Sequence, residues 1–147
     1  MSLKDQIKED VKTAMRAKDK QRLGTLRLLL AAIQRKEVDE RITLDDAQVI
    51  SVLQKTIKQS RDAHEQFEKG GRQDLAEKEL ADIAVWEVYL PQQLSADAIE
   101  KLVAETVAES GASSIKEMGK VMAVLKPKIQ GQADMGQVSA LVKAKLS

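Results

Sequence analysis

An all-α fold is predicted by three features of the sequence: helix-favouring residues dominate it, prolines are nearly absent, and apolar residues recur at intervals of three and four. Only two prolines occur in 147 residues, and aromatic side chains make up 2%. Ala, Leu, Lys, Glu and Gln are abundant, and these lose little side-chain freedom in a helix. With 43% hydrophobic residues the chain has enough apolar surface for one or two packed domains without a metal or a disulfide.

The elements follow in order from caps and periodicity. Ser2 caps a first helix in which Leu3, Ile7, Val11, Ala14 and Met15 share a face and which ends near Lys18. Asp19 starts a second, with Leu23, Leu26, Leu30 and Ile33 on one side, fading into Arg35-Lys36-Glu37 before a turn near Asp39. Thr43 opens a third, where Asp45 and Asp46 set negative charge against the positive end of the helix dipole. Ile50, Leu53, Ile57, His64 and Phe67 form its stripe, and Gly70-Gly71, tolerant of positive φ, ends it. The fourth helix runs from about Asp74 to Leu90, burying Leu75, Leu80, Ile83, Trp86 and Leu90, and stops because proline at 91 disfavours helix in the residue before it.

Pro91-Gln92-Gln93-Leu94 is the expected boundary between an N-terminal four-helix domain, residues 1–91, and a C-terminal three-helix domain, residues 95–147. Ser95 caps a fifth helix through Ile99, Leu102, Val103 and Val107, closed by Gly111. Ser113 or Ser114 starts a sixth through Ile115, Met118, Met122 and Leu125, which Pro127 is expected to terminate. Asp134 starts a seventh carrying Val138, Leu141, Val142 and Leu146.

Composition excludes several chemistries. The chain has no cysteine, hence no disulfide, thiolate nucleophile or cysteine-ligated metal. A reducing, cytoplasmic setting is therefore expected. Charges begin at Lys4, and no apolar run approaches the roughly 18 residues of a membrane span, so neither export nor insertion is expected. The one histidine, His64, lies on the third helix's apolar stripe and reads as a packed structural residue. Phosphate-loop, nucleophile-elbow and zinc-protease signatures are missing, and no catalytic residue, metal or cofactor is assigned. The acidic pairs Asp39-Glu40 and Asp45-Asp46 read as caps, since neighbouring helical side chains diverge by about 100°. Arg27, between Leu23 and Leu30, falls near the second helix's apolar face and is expected to be partly buried in a structural ion pair with Glu87.

The net charge of +1 conceals an uneven distribution. Residues 1–37 carry ten basic and five acidic side chains, while residues 38–94 carry seven and twelve. Residues 112–147 hold Lys116, Lys120, Lys126, Lys128, Lys143 and Lys145 against Glu117 and Asp134. Basic ends permit contact with a polyanion, and a self-complementary helical bundle would show the same pattern.

The sharpest local feature is Met118-Gly119-Lys120-Val121-Met122-Ala123, because glycine inside a helix costs about 1 kcal/mol relative to alanine. At about 100° per residue, Met118, Val121, Met122 and Leu125 share the core side, while Gly119, Ala123, Lys116 and Lys120 share the other. That second face is smooth and rimmed by ammonium groups, with Lys126 and Lys128 extending the charge. Two readings fit it. A sugar–phosphate backbone approaches closely and the lysines neutralise it, or Gly119 and Ala123 make room for a neighbouring helix.

Tyr89-Leu90-Pro91-Gln92-Gln93-Leu94-Ser95, Met118-Gly119-Lys120-Val121-Met122, Lys126-Pro127-Lys128 and Gly131-Gln132-Ala133-Asp134 resemble the YqeY family in order and spacing, and the likeness extends over essentially the whole chain. Residues 95–147 also resemble the tRNA-binding tail of the amidotransferase subunit GatB. The resemblance implies a link to carbon–nitrogen ligation with glutamine as amide donor, without the ATP cradle or the glutaminase centre of that enzyme. It implies a non-catalytic or auxiliary tRNA-binding module with Lys116, Gly119, Lys120, Lys126, Lys128 and Gly131 toward the nucleic acid, and amidotransferase or tRNA-metabolism proteins as partners. A helical protein-interaction adaptor without RNA binding is the alternative, and an independent amidotransferase the third reading.

Overall fold

Seven α-helices, five of them opened by a side-chain cap, make up the computed structural model, which describes residues 1–147 and contains no strand. The chain divides into two units, Met1–Leu90 and Pro91–Ser147. The first contains α1 (Leu3–Arg16), α2 (Lys20–Glu40), α3 (Asp46–Lys69) and α4 (Gln73–Glu87). Ser2 accepts the Asp5 N–H, and Asp19 accepts that of Arg22. Lys18 and Arg41, at φ of 58° and 54°, turn the chain after α1 and α2 without glycine.

Several boundaries differ from the expectation. Arg35, Lys36, Glu37 and Glu40 are good helix formers, so the helix continues to Glu40 rather than fading at Arg35. The cap of α3 is Asp45, not Thr43: Asp45 accepts the Gln48 N–H while the Gln48 side chain accepts the Asp45 N–H. A further carboxylate, Asp46, accepts the Leu3 N–H at 2.9 Å, so the start of α3 also caps the start of α1. The α4 helix ends at Glu87, and tight turns bonding Tyr89 and Leu90 to the carbonyls of Trp86 and Glu87 lead to the end of the unit. Leu80 faces outward, and Asp82 takes a buried position on that helix instead.

The core of this unit gathers Ile7 from α1, Leu26, Leu29 and Ile33 from α2, Val49, Leu53 and Ile57 from α3, and Ile83 and Trp86 from α4. Polar ties thread it. The Thr25 hydroxyl donates to Asp82 Oδ1 at 2.5 Å, Trp86 Nε1 donates to the Thr25 carbonyl at 3.0 Å, and the Ser60 hydroxyl donates to Glu79. His64 Nδ1 lies 3.0 Å from the Ala76 carbonyl, so the histidine is a half-buried link from α3 to α4.

The second unit contains α5 (Ala96–Ser110), a 3-10 turn over Ile115–Glu117, α6 (Met118–Ile129) and α7 (Met135–Leu146). Ser95 caps α5 through the Ala98 N–H, Gly111 closes it at φ 69°, and Asp134 caps α7 through the Gly136 N–H. Val103, Val121, Leu125, Ile129, Val138 and Val142 are the centre of its core. Pro127 does not terminate α6 but lies inside it. Its fixed φ suits a helix, and the carbonyl of Ala123, which would have bonded residue 127, lies on an exposed residue where water is available.

Candidate nucleic-acid interface

The α6 helix buries Val121, Leu125 and Ile129 and leaves Gly119, Lys120, Ala123, Val124, Lys126, Pro127 and Lys128 exposed. Gly119, Ala123 and Pro127 succeed one another at intervals of four, which aligns them along one side of the helix. Lys120 and Lys126 lie on opposite sides of that ridge. A Cβ built on Gly119 meets nothing within 4 Å. Gly119 is therefore not a packing site for the other helices of its own unit.

Lys116 is exposed as well but belongs to the 3-10 turn, so the α-helical register that grouped it with Lys120 begins only at Met118. Lys116, Lys120 and Lys126 make no ion pair, whereas Lys128 Nζ lies 3.9 Å from Glu109 Oε2, a distant and solvent-screened partner. Gly131 has a different place from the one expected. It is buried in the turn between α6 and α7 with φ of 80°, and its carbonyl accepts from Gln93 Nε2 at 2.6 Å. Positive φ favours glycine there, and burial removes it from any contact surface.

The expected pair of Arg27 and Glu87 does not form. Arg27 is exposed, and Glu87 Oε1 receives Arg61 Nη2 at 2.7 Å. Residues 23 and 30 are only half-buried, so the position between them already faces water. A well-connected carboxylate of the first unit is Glu37, which accepts Lys4 Nζ at 2.7 and 2.8 Å and the Leu44 N–H at 2.9 Å. These bonds, the ammonium first, hold its carboxyl below the usual value. Burial, and then the hydrogen bond to Asp10, push the Tyr89 phenol well above its usual range. Neither linkage is visible in the sequence, because each joins residues more than thirty positions apart.

A family profile described as Yqey-like protein matches residues 4–146. Among curated proteins, "Altered inheritance of mitochondria protein 41, mitochondrial" of Pyrenophora tritici-repentis is 32% identical over 125 residues, covering 82% of this chain and 69% of the relative. The proteins of the same name from Kluyveromyces lactis and Lachancea thermotolerans are each 40% identical, over 56% and 58% of this chain. The matches cover 45% and 46% of those two relatives, so the aligned part spans about half their length. The mitochondrial names overturn the expectation of a cytoplasmic location. The lack of cysteine and of an apolar span does not distinguish one compartment from another. No helix is long and apolar enough to cross a membrane.

Proposed function

This chain belongs to the Yqey-like protein family, and from that premise we propose that its second unit is a non-catalytic, auxiliary tRNA-binding module related to tRNA-dependent amidotransferases. The observation that carries the proposal is the open face of α6. A glycine in the first turn of the helix has empty space above it, and lysines without an ion pair flank it. Absence of a Cβ lets a sugar–phosphate backbone approach the helix, and mobile ammonium groups neutralise phosphates while releasing counterions. The likeness of Gly119-Lys120-Val121-Met122 and Gly131-Gln132-Ala133-Asp134 to the GatB tail supports tRNA as the polyanion. Gly131 then serves the site indirectly, by shaping the turn that follows α6. Carbon–nitrogen ligation with glutamine as amide donor is assigned to partner proteins in this reading.

The test is a salt titration of tRNA binding. For every lysine–phosphate interaction removed, the slope of log affinity against log salt should flatten by roughly 0.7 to 0.9. Lys120→Glu with Lys126→Glu should weaken binding sharply at low salt and leave the melting temperature nearly unchanged, since exposed charges contribute little to folding. Gly119→Leu should weaken binding by steric exclusion with no change of charge. Unchanged binding in the lysine variant, or no binding by the parent chain at low salt, would reject the proposal.

A further inference from the structure

The second helix carries apolar residues on two faces, and only one of them is used. Leu26, Leu29 and Ile33 enter the core, but Leu28 is 54% exposed and Val38 75% exposed. Gly24, Leu28, Ala31, Arg35 and Val38 follow one another at spacings of four, three, four and three, which is a single stripe along the outside of α2. All five are exposed, and a Cβ on Gly24 meets nothing within 4 Å. Arg27 and Arg35 lie on opposite sides of the stripe's midline, Lys20 stands at its start, and Asp39 is the one carboxylate at its edge. Neither arginine makes an ion pair within the chain. From Lys20 to Val38 the face is about 27 Å long at about 1.5 Å per residue.

We infer that this face of α2 docks an acidic amphipathic helix of a partner protein, with Leu28 and Val38 as apolar anchors and Arg27 and Arg35 as receivers of its carboxylates. Gly24 and Ala31 leave the centre of the stripe flat, so a second helix can approach closely between the larger side chains. A guanidinium presents a planar fork of donors that matches a carboxylate in two places, which sets the partner's charge. A second copy of this chain fits poorly. Two α2 helices crossing antiparallel about Ala31 place Arg27 of one opposite Arg35 of the other, and like charges in contact oppose association. RNA fits poorly too. Phosphates gain nothing from Leu28 and Val38, and the chain's three aromatic residues, Phe67, Trp86 and Tyr89, all lie outside α2, so no aromatic ring offers a base a stacking surface there. The inference is independent of the tRNA proposal, since it uses a different helix in a different unit.

The probe is a set of synthetic helical peptides of about 18 residues, with leucines at i, i+3, i+4 and i+7 and glutamates along both flanks, labelled for fluorescence polarisation. The full chain should bind them saturably. Arg27→Glu with Arg35→Glu should weaken binding about tenfold or more at low salt, and peptides with lysine in place of glutamate should restore it to that variant. Leu28→Asp with Val38→Asp should abolish binding of both peptide types and leave the melting temperature in place, because both side chains are exposed in the isolated chain. No binding at millimolar peptide, indifference to the arginine changes, self-association that the leucine and valine changes abolish, or displacement of bound peptide by tRNA would each overturn the inference.

Discussion

The two units close their cores by different means. In the first, side-chain hydrogen bonds run between segments distant in sequence: Thr25 to Asp82, Trp86 to the Thr25 carbonyl, Ser60 to Glu79, Lys4 to Glu37, and Tyr89, in the turn after α4, to Asp10. In the second, the core is aliphatic, and the buried hydroxyl of Thr106 bonds the Leu102 carbonyl of its own helix. A polar tie has a direction and a length, so it selects one register between two helices, whereas aliphatic contacts tolerate small slides. The first unit has four helices with several alternative pairings to exclude, and the second, with three, needs less exclusion.

The contrast can be broken or sharpened by substitution. Trp86→Ala removes the largest core side chain of the first unit together with its hydrogen bond, and a destabilisation of about 3 to 5 kcal/mol is expected in urea titrations followed by circular dichroism. Leu125→Ala in the aliphatic core should cost about 2 to 5 kcal/mol, all of it from packing. Trp86→Phe isolates the polar part of the first case and should cost about 1 kcal/mol beyond the change in volume. A negligible effect of that change would show that the ties contribute no stability and serve register alone.

Acid titration sharpens the comparison further. The folded pKa of Glu37 lies below its unfolded value of 4.5, so its ionised form is favoured by folding. Its contribution is complete above that value and is lost as pH falls through the lower, folded one. Glu37→Gln should flatten this part of the stability profile, and substitutions confined to the second unit should leave it alone. At the alkaline end the sign reverses. The Tyr89 pKa is raised from 10.0, so its contribution is present below that pH and is lost as the pH rises toward the folded value, a decline that Tyr89→Phe should remove. The smallest effect concerns two exposed helical glycines. Gly24→Ala and Gly119→Ala place a methyl in open space and should each stabilise the chain by up to about 1 kcal/mol, Gly119→Ala while weakening tRNA binding.

Most of the helices are legible in the sequence because their signals are local. Ser2, Asp19, Ser95 and Asp134 cap as expected, and glycines at 70, 71 and 111 end helices as expected. What is not legible depends on water and on distance. Pro127 and the polar end of α2 look like breaks, but exposed backbone completes its hydrogen bonds with solvent. The neighbours of Arg27 in sequence suggest an apolar setting, and its real surroundings are set by a stripe that only the folded helix reveals. Gly131 matches a motif, and the motif does not say whether a glycine supplies open space or a required turn. The lysines of α6 are legible as a cluster, whereas the open space over Gly119 is not.

Pro127 also sets how the lysine face exchanges its amide hydrogens. With no N–H at 127, the last turn of α6 hangs on fewer backbone bonds than the middle of the helix around Val121 and Leu125. Opening of that turn breaks little, so the amide of Lys128 should exchange with deuterium by a local route, ahead of the global unfolding that governs Val121 and Leu125. Lys126 and Lys128 then sit on a segment that adjusts its backbone at low cost.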